Sequence, residues 1–173
     1  MTLGPDGEQA NVAALRSACD ESRAVLDDQL GELSDIGDKA LWTVRTSMIV
    51  LGVVASAASL GDARTLRQLH PGVGLLGVAG VALLVAASVY GLGTYFGADR
   101  IRGISPEYRR QARESGLSER DWRQALLRGY DEWIAEMEAT TDRYGTHLFR
   151  AQALFLLGVV AFVLTAGLSL GTL

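Results

Sequence analysis

The chain has 173 residues, with 16 Lys and Arg against 20 Asp and Glu, and 49% of its residues are hydrophobic. That length suits one domain of ordinary size, and the slight acidity excludes the broad basic field that nucleic acid demands. A single cysteine, Cys19, excludes an intramolecular disulfide and a multi-cysteine zinc site.

The charges are segregated along the chain. No Asp, Glu, Lys, Arg or His lies between Arg45 and Asp62, between His70 and Asp99, or after Arg150, leaving uncharged stretches of 16, 28 and 23 residues. A soluble globule does not separate charge in this way. The expected fold is an all-α integral membrane protein, with three transmembrane helices and a cytoplasmic, coiled-coil-like helical stalk.

Residues 1–8 read as a disordered tip containing Gly4, Pro5 and Gly7. Met1 to Gly7 has no basic start, and no apolar run follows it, so no signal peptide is expected. Residues 9–40 read as an acidic amphipathic cytoplasmic helix. Val12, Leu15, Cys19, Leu26, Leu33, Ile36 and Ala40 keep helical spacing, interrupted by Ser22 and Gln29. Residues 1–40 hold nine acids and three bases. Such a segment is expected to project into the cytoplasm and not to lie on an anionic leaflet.

The first span is expected at 41–60, with Arg45 one turn inside and snorkelling outward. No proline separates it from the preceding helix, so one helix is expected from about residue 9 to 60. A short outer loop, 61–71, leads to the second span at 72–98. The cytoplasmic stretch 99–150 opens with a basic cluster, Arg100, Arg102, Arg109, Arg110 and Arg113. That cluster reads either as a contact for anionic lipid headgroups or as a topology determinant on a solvated face.

Ser105-Pro106-Glu107 has the character of a helix start, Gly116 of a helix end, and Ser118 with Asp121 of the next cap. From Glu119 a heptad pattern follows: Leu126, Tyr130, Trp133, Met137, Thr140, Tyr144, His147 and Ala151. It leads directly into the third span, 151–173. The expected packing seam is Leu126, Tyr130, Trp133, Met137 and Tyr144. It can close on the N-terminal helix in parallel, or on a second subunit.

Arginine and lysine counts set the orientation. One side holds 14 and the other holds Arg64 and Arg67 alone, so the N-terminus is expected inside and the C-terminus outside the cell membrane. Trp42, Tyr95, Phe96, Tyr144 and Phe149 would then form an aromatic belt at the inner interface. Small residues four apart, Gly52 and Ser56, Ala87 and Gly91, Gly93 and Gly97, Gly167 and Gly171, suit close helix packing within or between chains.

Chemistry is sparsely signalled. The spans lack the deep ionisable groups that pumps and ion-coupled transporters use. Thr46, Ser56 and Ser59 could line a pore after oligomerisation, or bond back to their own helix. No catalytic, cofactor or metal motif is present, and none of those functions is expected. His147 reads as a packed interface residue and Cys19 as a small apolar filler.

Asp38-Lys39-Ala40-Leu41 and Gly129-Tyr130-Asp131-Glu132-Trp133-Ile134 resemble segments of short multi-span proteins of haloarchaeal type. Over about residues 9–140 the layout is similar to the SLATT and Pycsar groups of membrane effectors. That resemblance implies oligomerisation and membrane disruption on a signal. The third span departs from their usual two. The expected function is therefore non-enzymatic: a small membrane protein that self-associates or docks a partner through its cytoplasmic helices. A signal-gated pore and an accessory subunit of a membrane enzyme or transporter are the alternatives. The expected partners are the lipid bilayer and a protein or second copy, with no nucleic acid.

Overall fold

A computed structural model describes residues 5–60, 71–98, 110, 114 and 116–171. The described elements are three long helices: α1 (Pro5–Leu60), α2 (Pro71–Ala98) and α3 (Glu119–Gly171). There is no strand among the described residues. α1 begins at Pro5, four residues earlier than the periodicity suggests. Proline is tolerated in a first helical turn, where no intrahelical partner awaits its missing N–H. Residues 1–4 of the expected tip, nearly all of the outer loop, and the Ser105-Pro106-Glu107 start lie outside the described residues.

All three helices are long and apolar enough to cross a membrane. The chain divides into two compact units, one of Met1–Ser34 with Arg100–Arg143, the other of Asp35–Asp99 with Tyr144–Leu173.

In the first unit α1 and α3 pair in parallel. The Arg16 guanidinium donates to Glu119 at 3.1 Å, and the Cys19 thiol lies 3.8 Å from the Arg123 carbonyl oxygen. The partners stay 103 or 104 residues apart as both numbers rise, which is the signature of parallel helices in register. Gly116 takes a left-handed backbone, φ 58°, just before α3. Ser118 then caps the helix: its Oγ accepts from the Asp121 backbone N–H at 3.2 Å and donates to the Asp121 carboxylate at 2.6 Å.

In the second unit the three helices run up, down and up. Ile36, Ala40, Leu148 and Tyr144 form one apolar cluster, so α1 and α3 are again parallel. α2 opposes both. Its Gly91 meets Ala40 and Val44 on α1, while its Gly97, Gly80 and Gly77 meet Tyr144, Phe162 and Thr165 of α3 in turn.

The inward face of α2 is Val73, Gly77, Gly80, Leu84, Ala87, Gly91 and Thr94, a four-three repeat of mostly small residues. Leu84 and Ala87 are fully buried. Small side chains let backbones approach where lipid gives helices no hydrophobic reason to associate. The crossing of α2 with α3 is built this way: a Cβ on Gly158 would lie 3.2 Å from the Gly80 carbonyl oxygen.

The bundle buries little of its apolar surface. No span's most apolar stretch is more than 28% buried inside the chain. Of the twenty large apolar side chains that stand exposed among the described residues, eighteen belong to this unit. Only Val25 and Leu117 belong to the other. Monomeric soluble proteins rarely expose contiguous apolar patches beyond about several hundred Å².

Candidate functional site

The three helices carry seams that the local sequence dictates. On α1 the positions Cys19, Ser22, Leu26, Gln29, Leu33, Ile36, Ala40, Thr43 and Ser47 follow a strict three-four repeat, and none of them is exposed. The seam thus extends beyond Ala40, through two hydroxyl residues that carry no apolar signal. Thr43 and Ser47 fit because each donates its hydroxyl to the carbonyl four residues back, at 2.9 and 2.8 Å. On α3 the repeat continues past Ala151 through Leu154, Gly158, Ala161 and Thr165.

In the first unit the α3 seam residues Leu126, Tyr130 and Trp133 are half-buried and Met137 is buried. Tyr130 and Trp133 meet edge to face, with ring centroids 5.6 Å apart at 90°. Burial holds the Tyr130 hydroxyl above the ordinary tyrosine range, against the pull of Arg23. Cys19, Asp27 and Asp20 push it the same way as burial. Two buried polar atoms of this unit, Gln29 Oε1 and Thr141 Oγ1, have no hydrogen-bond partner among the described residues.

The outside of this pair is charged. Across residues 12–34 and 119–143 there are twelve carboxylates and six arginines. All twelve carboxylates are exposed. Glu119 is shared by Arg123, at 2.8 Å, and Arg16, at 3.1 Å. The hydrogen bond from Arg123, then that from Arg16, hold its carboxyl below the ordinary glutamate value. Beyond Arg128, residues 129–142 have five acids and no base, and residues 24–34 have three acids and no base.

In the second unit Tyr144, the last expected seam residue, packs on the Ile36, Ala40 and Leu148 cluster. His147 stacks on Tyr90 at 6.1 Å and lies tilted to Tyr144 at 6.5 Å. Of the expected small-residue contacts, Ala87 and Gly91 face the other helices of the same chain. A Cβ on Gly91 would lie 2.7 Å from Val44 Cγ2 and 3.2 Å from the Ala40 carbonyl oxygen. Gly97 is covered by the Tyr144 side chain. Gly52, Gly93 and Gly167 have nothing within 4 Å of a built Cβ, and Ser56 is exposed.

The contacts at Gly77, Gly80 and Gly158 were not expected. The signal was present as the four-three repeat along α2, which pairwise searching for residues four apart passes over.

Thr46, Ser56 and Ser59 each donate to the carbonyl four residues back, at 2.8–2.9 Å. Arg110 is exposed, and Arg100, Arg102, Arg109 and Arg113 lie outside the described residues. Among the described residues, no group of three or more His, Cys, Asp or Glu is placed to hold a metal ion. Comparison with protein-family models, with curated proteins and with solved structures finds no match.

Proposed function

We propose that this chain is a non-enzymatic, multi-pass protein of the cell membrane that docks a protein partner on its cytoplasmic two-helix unit. Its N-terminus is inside and its C-terminus outside. One observation carries the choice between docking and self-association. The apolar stripes of α1 and α3 that could have recruited a second copy pack together within one chain, with Cys19 at the Arg123 carbonyl and Leu33 and Met137 buried. What remains outside is a coat of carboxylates in excess over arginines. Such a coat favours a partner with a basic surface, through complementary potential and steered encounter.

Membrane residence rests on the exposed apolar side chains of the second unit and on the length of the three helices. In water that exposed surface costs about 25 cal/mol for each Å². In hydrocarbon it costs nothing.

The test is the mass of the detergent-purified protein by light scattering, corrected for detergent, with affinity purification from native membranes beside it. Wild type is expected to be monomeric and to bring down a stoichiometric protein partner. If that partner is a membrane enzyme or transporter, the chain is its accessory subunit. A defined homo-oligomer that falls apart in a Tyr130→Ala, Trp133→Ala double variant would overturn docking in favour of self-association through the seam. Dye leakage from vesicles would then decide whether the oligomer is a pore. A chain that stays soluble and monomeric without detergent would sink the membrane reading altogether.

A further inference from the structure

The second unit has a layer in which its three helices touch: Ala40 and Val44 meet Gly91, Ala40 clusters with Leu148, and Tyr90 stacks on His147. Among the described residues, the charges on the three helices from this layer into the spans are all basic. Past Asp38, α1 carries only Lys39 and Arg45. α2 carries no charge, and past Asp142 no acid occurs on α3, where Arg150 lies two residues beyond Leu148.

At 100° per residue, Lys39, Trp42, Arg45 and Ile49 occupy one third of the circumference of α1. All four are exposed, and Trp42 is 63% exposed. The opposite face, Ala40, Thr43, Val44 and Ser47, is the buried seam. Arg45 has no hydrogen-bond or ion-pair partner among the described residues.

Its depth sharpens the problem. From Arg45 to the end of α1 at Leu60 is about 22 Å at 1.5 Å per residue, against roughly 30 Å of hydrocarbon. A span that reaches the far boundary places the Arg45 backbone below the near one, with Trp42 almost one turn closer to water. A guanidinium there, flanked by Met48 and Ile49, has no carboxylate bonded to it among the described residues. The surroundings can supply the counter-charge. A lipid phosphate lies just outside that boundary, within reach of a side chain that extends toward the interface, and matches the guanidinium fork with two parallel hydrogen bonds.

We propose that Arg45, with Lys39 as second cation and Trp42 as the ring beside them, binds the phosphate of an anionic phospholipid in the cytoplasmic leaflet. This rests on the membrane reading above.

The test uses full-length protein in zwitterionic micelles, titrated with phosphatidylglycerol, phosphatidylcholine or inorganic phosphate, with binding read by native mass spectrometry. Phosphatidylglycerol is expected to bind at least tenfold more tightly than phosphatidylcholine. Arg45→Gln should lose about tenfold, Arg45→Lys should lose less, and Arg128→Gln in the other unit should lose nothing. Equal affinity in Arg45→Gln, equal affinity for phosphatidylcholine, or equal occupancy by inorganic phosphate would each overturn the proposal.

Should Arg45→Gln fail to fold, a second measurement decides. With Trp122 and Trp133 replaced by Phe, the fluorescence of Trp42 is expected to be quenched more by brominated phosphatidylglycerol than by brominated phosphatidylcholine. Equal quenching refutes the site. Alkaline carbonate extraction separates the two levels of the argument: wild-type protein released by carbonate refutes the membrane reading, whereas retained protein without lipid preference refutes the phosphate site alone.

Discussion

A methyl group added at Gly91 meets a stiff Val44 side chain at 2.7 Å and a backbone carbonyl oxygen at 3.2 Å, so the helices themselves have to part. Gly91→Ala is therefore expected to destabilise the protein by about 1–3 kcal/mol, the usual cost of overpacking. Gly93→Ala, into open space, is expected to be neutral or to stabilise by up to about 1 kcal/mol through helix propensity. Thermal unfolding of both variants in one detergent checks the contrast. Glu119 gives a second test at this scale. Its carboxyl titrates below the ordinary glutamate value because Arg123 and Arg16 bond the charged form. Its contribution to stability is present above the ordinary value and is lost as pH falls through the lowered one. A carboxyl NMR titration should find that midpoint depressed, and Arg123→Gln should move it back upward. A Glu119 midpoint that ignores Arg123→Gln would refute the pair.

At the scale of the helix, the α1 seam makes Leu33 a keystone. It is 2% exposed and sits in the first unit, where few other large side chains are buried. Leu33→Ala is expected to cost about 2–5 kcal/mol. Amide exchange should quicken across both 12–34 and 119–143, since each helix covers the other's stripe. Loss of protection on α1 alone would show that the pair is not cooperative. These seams also mark how far the sequence could be read. The three helices were legible because apolar residues recur over long stretches at helical spacing. The continuation through Thr43, Ser47, Gly158 and Thr165 was not, because inside a membrane-length helix the packed face is the small and hydroxyl-bearing one. There the large apolar residues turn outward, and hydrophobic periodicity no longer identifies the interior. Gly91 could be named as a packing residue from spacing alone. That it packs within the chain, while Gly52 and Gly93 face open space, depends on which helix lies opposite.

At the scale of the whole chain, orientation is the property on which the functional reading turns. With Cys19 replaced by Ala, a single cysteine at Ser17 is expected to resist a membrane-impermeant maleimide on intact cells, and one at Thr172 to react. The reverse result would place the acidic pair outside and remove its cytoplasmic partner. The parallel pairing of α1 with α3 carries one more consequence. Cys19 finds Arg123, and Ala40 finds Leu148, across more than a hundred residues of intervening chain. At about 5–20 residues per second, a ribosome needs roughly 5–20 s to synthesise that interval. For all of that time the stripe of α1 in the first unit lacks its mate, while at Ala40 and Val44 only α2, through Gly91, can arrive sooner. Both units close only once α3 has been made, so the chain's vulnerable period is set by translation speed and by whatever shields α1 during the wait.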